Sequence, residues 1–479
     1  MTTGGQNQKG RPVHDETHTA ERPATFREVF GTTEYRAVFL GSSLSWVGDY
    51  LARAAVTALV YRQTGSVAMS AATFAISYLP WIAGGPVLSA IAERHSYRSV
   101  MVICDIVRAM LIALVAVPRI PIWAILALLF ATAMLNPPFD AARSALLPRI
   151  LHGDRYVLGL SLQSTTRQAV QIGGYLTGAA LGYNHPHLAL FVDAVTFAFS
   201  AFLVGLWVRA RSPALTARHR THLLRETAEG YQLVFGNPVL RAIAVVSFAS
   251  MLFAVVPEAL AAAWAALLAP RVSDRGWVQG LIMVANPLGF IVGGLLIGRL
   301  VAPAVRRRLI RPFAVLIPAA LVPALINPSA VVVAVMAAVC GFAVAGMIPA
   351  ANGLFVQALP DAFRARAFGV MQSGVQICQG VAVLVTGTLA DRYPLPVVVG
   401  LWSLLGVAIM VFAGASWPAS EQFSTATATA REMNAGNATD RTVVPGTPAA
   451  RRPGDPAAPA GPSGPAAQGP GAAQVGVVS

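Results

Sequence analysis

Ala330 to Val356 reads AVVVAVMAAVCGFAVAGMIPAANGLFV, 27 residues without one charged side chain. As a helix it would reach about 40 Å, and a bilayer core needs only about 20 mostly apolar residues. A helix apolar on every side is buried in protein or in lipid, so the stretch predicts a membrane span. Similar runs recur on both sides of it. Reading apolar blocks against breakers predicts six spans in the first half, near 36–61, 69–92, 99–118, 121–140, 156–182 and 187–208. Six more follow near 240–268, 276–299, 310–328, 330–356, 366–390 and 395–417, of which the ninth, like the third, is short and borders prolines.

The composition agrees with a chain dissolved in lipid. Of 479 residues, 55% are hydrophobic and 12% charged, about half the charged fraction of an ordinary soluble domain. The net charge of +14 comes almost wholly from arginine, with Lys9 the only lysine. These charges fall between apolar blocks and form no basic stripe, which argues against nucleic acid. Cys104, Cys340 and Cys378 each sit inside an apolar block without metal-ligand spacing and read as small buried hydrophobes. The polar first thirty-odd residues contain no cleavable signal pattern, so the first span is expected to direct insertion.

Three segments read as lying outside the membrane: a polar tail over 1–34, a linker over 209–239 and a tail over 419–479. In the linker, Leu223, Leu224, Ala228, Tyr231 and Leu233 suggest an interfacial helix. The last tail is rich in Pro, Ala, Gly and Thr and reads as disordered. The halves between these segments are 35–208 and 240–418.

Arginine sets the expected orientation, because cytoplasmic loops retain positive charge. Loops after spans two, four, eight and ten carry Arg94 and Arg98; Arg143, Arg149 and Arg155; Arg299, Arg306, Arg307, Arg308 and Arg311; and Arg364 and Arg366. The linker adds Arg209, Arg211, Arg218, Arg220 and Arg225. The other loops carry only Arg62, Arg119, Arg271, Arg275 and Arg392. Both termini are therefore expected in the cytoplasm, inside the cell (plasma) membrane.

The halves repeat each other. Pro137 precedes Leu147-Pro148 as Pro349 precedes Leu359-Pro360, and Gln163 with Thr177-Gly178 is spaced like Gln372 with Thr386-Gly387. Arg167 then falls opposite Gln376, and Gly84-Gly85 with Arg98 matches Gly293-Gly294 with Arg307. Parallel six-helix repeats with a substrate site between them build one large class of transporters.

The stretch GPVLSAIAERHSYRSVMV (Gly85 to Val102) resembles the loop signature between helices two and three of the major facilitator superfamily. Ser89 replaces its second Gly and Glu93 its Asp, while Arg94 and Arg98 stand. Gly48 to Ser66 (GDYLARAAVTALVYRQTGS), DIVRA (Asp105 to Ala109) and FVDAVTF (Phe191 to Phe197) resemble the drug:proton antiporter branch that includes enterobactin-exporter-like proteins. The helix-five antiporter signature is degraded: Gly173-Gly174-Tyr175-Leu176-Thr177-Gly178 lacks the usual Pro. The resemblance covers roughly residues 26 to 418. It implies an all-α membrane fold of twelve transmembrane helices in two pseudo-symmetric halves, and proton-coupled efflux.

Charges at membrane depth are costly and usually functional or paired. Asp49 and Arg53, four apart, share a face; they read as an intrahelical ion pair or as a proton carrier with its modulating cation. Glu258, without a charged neighbour on its own turn, is a second proton-coupling candidate, or else an idle residue at the outer rim. Asp105 and Arg108 also share a face, and the resemblance places them with Glu93, Arg94 and Arg98 in an inner-gate network; simple positive-inside topology explains the arginines equally. Gln163, Arg167 and Gln171 form a strip matched by Gln372, Gln376 and Gln379. With Arg53 these are candidates for a substrate cavity, or for hydrogen-bonded glue between helices. Asp193 reads as structural. Trp46, Trp81, Tyr78 and Phe39 suit an aromatic cavity wall or a lipid-facing surface. Pro80, Pro137, Pro287 and Pro349 are expected to interrupt helices.

No Gly-Lys-Ser/Thr phosphate loop, catalytic triad or HExxH motif is present, and His185 and His187 alone are weak metal ligands. The expectation is a monomeric, non-enzymatic secondary transporter without cofactor or metal. Its partners would be protons, the lipid bilayer and a small amphiphilic substrate such as a drug, siderophore or natural product. An importer on the same fold, and a non-transporting membrane scaffold or enzyme, are the alternatives.

Overall fold

The computed structural model describes residues 25–80, 95–211, 223–360 and 363–442. Among them every regular element is helical. The first half comprises α1 (Phe26–Gly31), α2 (Thr33–Thr64), α3 (Val67–Ala75), α4 (Tyr97–Val115), α5 (Ile122–Ala133), α6 (Asn136–Ile150), α7 (Asp154–Asn184) and α8 (Pro186–Trp207). The link contains α9 (Leu223–Gly236). The second half comprises α10 (Pro238–Ala254), α11 (Val256–Ala259), α12 (Ala261–Leu268), α13 (Val272–Leu300), α14 (Pro303–Ala319), a 3-10 turn (Val322–Ile326), α15 (Ala330–Gln357), α16 (Arg364–Ala390) and α17 (Leu395–Ala415). α18 (Ser420–Thr442) closes the described chain.

Eight helical stretches among the described residues are long and apolar enough to cross a membrane, three of them (Ile122–Ile150, Pro238–Ala259 and Val305–Ile326) running through a local break in the helix. α2, α4 and α7 are not among them: Asp49 and Arg53 interrupt α2, Arg98, Asp105 and Arg108 interrupt α4, and α7 is polar along its length, with Gln163, Arg167, Gln168 and Gln171. α2 has 32 residues, about 48 Å of helix and more than a bilayer core needs. It ends where Gly65 turns left-handed (φ 67°), so that the Gly65 N–H still caps the Tyr61 carbonyl at 2.8 Å. Within the first half α2 packs on both α7 and α8; within the second, α13 packs on α15. Outward faces carry exposed apolar side chains such as Trp123, Val331, Leu401 and Phe412, as lipid requires.

Several expectations are corrected. The fourth span is two helices: the chain turns at Met134–Leu135 and restarts with Pro137 and Pro138 in the first turn of α6, where proline costs no hydrogen bond. The seventh is three pieces, α10 to α12, broken around Pro257. Pro287 and Pro349, in contrast, lie inside continuous helices. The start of the 419–479 tail is α18, and not disordered: Phe423 and Ala426 pack on the core of the second half and Phe423 stacks on Trp417 at 5.7 Å. Pro-rich 443–479 lies outside the described residues, as do Trp81, Gly84, Gly85, Ser89, Glu93 and Arg94. The expected linker helix is present as α9, with Val234 buried and Tyr231 exposed.

The halves meet from mid-depth to the arginine-poor end. The Gln279 side chain of α13 donates to the Ala54 carbonyl of α2 at 2.9 Å. A Cβ on Gly276 would stand 2.9 Å from the Ala179 carbonyl oxygen, so these backbones nearly touch. Beside them Asp391, just beyond α16, caps the start of α3. Its carboxylate accepts from the Val67 and Ala68 N–H groups (2.6 and 3.2 Å) and from the Ser66 hydroxyl (2.7 Å). A carboxylate suits a helix start, which carries positive partial charge. Asp391→Ala is expected to loosen this seal by about tenfold, the scale of one charged hydrogen bond. The check is labelling of a Ser77→Cys cavity cysteine by an impermeant maleimide from the arginine-poor side.

Candidate functional site: a charged cavity between the halves

A cavity of about 570 Å³ lies between the halves. Its wall is asymmetric in chemistry. The first half supplies Asp49 and Arg53 from α2, Arg108 from α4, Asp140 and Arg143 from α6, and Arg167 from α7. The second half supplies one carboxylate, Glu258 of α11, and the amides Asn286, Gln372, Gln376 and Gln379. Tyr50, Tyr78, Tyr175, Trp46 and Phe139 give it aromatic surface.

Local structure explains how these groups arrive. Glu258 sits where the seventh span breaks, and Asn286 of α13 donates to the freed Ala254 carbonyl at 3.2 Å. Irregular backbone at membrane depth is tolerated where it lines a cavity or is buried in protein. The Tyr175 hydroxyl, from the other half, donates to Glu258 at 3.1 Å. Arg53 lies over the rings of Phe74 and Tyr50, 5.1 and 5.7 Å from their centroids. Arg143 and Arg167 both lie against Trp46, at 4.9 and 5.2 Å. Among the described residues neither Arg53 nor Arg167 has a carboxylate within 4 Å, so Asp49 and Arg53 share the cavity without forming an ion pair. Stacking on aromatic rings offsets part of the cost of these cations.

Arg108 is held differently. It pairs with buried Asp105 at 3.4 Å, donates to the Leu135 carbonyl at 2.6 Å and lies over Phe139 at 4.7 Å. The expected union of this pair with Arg98 is not found. Arg98 bonds the Gly205 carbonyl of α8, ten residues or about 15 Å along α4 from Arg108. Glu93 and Arg94 lie outside the described residues.

Of the expected cavity residues, Arg53, Arg167, Gln171, Gln372 and Gln376 line the space and Gln163 does not. Gln163 is buried about one turn nearer the arginine-rich end than Arg167. Trp46 and Tyr78 line the wall, whereas Phe39 packs with Phe30 and Tyr35. Tyr50, Tyr175, Asn286, Asp140 and Arg143 are wall residues that the sequence reading missed, and the last two form an ion pair there. Arg143, read as a loop arginine, is buried and paired with Asp140 at 3.0 Å. Their i, i+3 spacing after Pro137-Pro138 was the available signal. Asp193 is buried beside Asp49 in a smaller cavity of about 60 Å³. Among the described residues no cluster of His, Cys, Asp or Glu suits a metal.

The chain resembles known transporters. Over 249 residues it is 23% identical to YvqJ of Bacillus subtilis (strain 168), an uncharacterized MFS-type transporter, covering 50% of this chain and 58% of the relative. The nucleoside transporter NupG superposes with a TM-score of 0.62 at 14% identity, over 81% of this chain and all of the other. A bacterial homologue of the iron transporter ferroportin, crystallised in an inward-facing state, gives 0.57 at 16%, over 82% of this chain and all of that one. At these identities the solved structures establish the fold alone. The model of the Major Facilitator Superfamily matches residues 38–382 and 272–454, and the chain belongs to that superfamily of membrane transporters.

Proposed function

We propose that this chain exports small amphiphilic molecules in exchange for protons, by alternating access to the cavity between its halves. One observation carries the reading: two carboxylates from opposite halves, Asp49 and Glu258, face a single cavity that also holds Arg53 and Arg167, neither of them in an ion pair among the described residues. Such a wall recognises charge and hydrogen-bonding groups on a ligand, while Trp46, Tyr50 and Tyr78 take its apolar part. Glu258 adds a link to motion, since its bond to Tyr175 crosses between the halves. Gaining or losing a proton there changes an inter-half hydrogen bond, which biases one arrangement over the other. The likeness of Gly48–Ser66 to drug:proton antiporters supports the outward direction.

In this reading the halves are 35–208 and 240–418, and 1–34, 209–239 and 419–479 lie in the cytoplasm with the arginine-rich face. The transporter works as a monomer in the plasma membrane. The test is flux in proteoliposomes under an imposed pH gradient, with a panel of acidic siderophore-like and cationic drug-like compounds. Gradient-driven movement toward the arginine-poor face is expected. Movement the other way makes the chain an importer, and no movement by folded protein removes the transport reading for this panel.

A further inference from the structure

We propose that a crevice formed by α18 against the second half binds the phosphate headgroup of an anionic membrane lipid. The crevice measures about 700 Å³ and is separate from the central cavity. Arg307, Arg308 and Arg311 of α14 and Arg431 of α18, all four exposed, line it together, and Trp417 and Phe423 stack at its apolar wall. No carboxylate lines it. Arg307 donates to Gln357 at 3.4 Å; among the described residues Arg308, Arg311 and Arg431 make no ion pair or side-chain hydrogen bond. Adjacent Arg306 is already committed to the Val301 and Gly298 carbonyls, both at 2.6 Å.

Retention of positive charge on one face explains three arginines on a loop and the start of its helix. It does not explain a fourth, brought from 120 residues further on into the same crevice. Four guanidiniums without acidic partners repel one another, and a phosphate satisfies several at once through paired N–H donors. The place is also right for lipid. α17 ends at Ala415, so Trp417 stands where a span leaves the membrane, the depth at which tryptophan and lipid headgroups meet. Basic pockets at this depth on membrane proteins bind anionic headgroups. A lipid seated here would also fasten α18 to α14.

The full-length chain in neutral detergent would be titrated with phosphatidylglycerol, phosphatidylcholine or sodium phosphate at matched ionic strength, reading the thermal midpoint. A saturable rise with phosphatidylglycerol, and little with phosphatidylcholine, is expected. Each arginine near an anionic lipid is worth about fivefold in affinity, so R308Q/R311Q should weaken binding roughly 25-fold and R431Q about fivefold. R119Q, on the arginine-poor face, should leave it unchanged. Equal affinity in the wild type and both crevice variants, or equal response to both lipids, overturns the proposal. Inorganic phosphate that gives the same saturable rise and blocks the lipid's would overturn the lipid as its source.

Discussion

Asp49→Asn is expected to abolish uphill transport while leaving the protein folded and able to exchange substrate. Asparagine keeps the size and hydrogen bonding of the side chain but cannot carry a proton. Asp49 has no ion-pair partner within 4 Å among the described residues, so the substitution strands no cation that the carboxylate was holding in a bridge. The effect is large because coupling is multiplicative. Two pH units across the membrane drive up to roughly a hundredfold accumulation per proton exchanged. Without coupling, accumulation falls to about onefold, while counterflow of labelled substrate continues. Glu258→Gln should behave alike, and Tyr175→Phe, which removes only the inter-half bond to Glu258, should slow transport without uncoupling it. Accumulation by Asp49→Asn equal to the wild type would remove Asp49 from the proton path.

Gly289→Val should unfold or severely destabilise the second half. α13 and α15 cross so closely that a Cβ on Gly289 would sit 1.9 Å from the Ala338 carbonyl oxygen. One on Gly341, on the partner helix, would sit 2.0 Å from the Asn286 carbonyl oxygen. Both obstacles are backbone, so no side chain can rotate away. Small residues at such crossings allow the backbone contact that associates helices in lipid. Overpacking a well-packed interior costs about 1–3 kcal/mol, and forcing two backbones apart should cost at least the upper figure. Gly294, with nothing within 4 Å of its Cβ position, is the control. Gly294→Val should express and melt like the wild type, while Gly289→Val should lose most of its monodisperse yield.

The spans were legible in the composition along the chain, and the repeat in the spacing of its prolines and glutamines. Arg167 and Gln376, matched by the repeat, do meet at one cavity. Helical periodicity says which residues share a face, but neither how deep that face lies nor how far the helix is rotated. Gln163 shares a face with Arg167 yet misses the cavity for that reason. Asp140 and Arg143 were hidden by the assumption that arginines beyond an apolar run lie in a loop. The restart at Pro137-Pro138 carries α6 on to Ile150 and keeps both at the cavity wall. The break at Pro257 showed only as one proline within a long apolar run, although it positions Glu258. α18 was missed because its sequence is too polar to show a stripe, and it is held by a few contacts such as Phe423 on Trp417.

The measurement that bears most directly on the transport role of the cavity is modification of one cavity residue during flux. Cys104 and Cys340 are buried, so Cys378→Ser leaves no accessible thiol and Gln376→Cys then places one on the cavity wall. An impermeant maleimide should reach that cysteine from the arginine-rich side, because the halves are closed at the other end. Flux should fall in proportion to labelling, and substrate should slow the reaction. Undiminished flux with the cysteine fully labelled would contradict transport through this cavity.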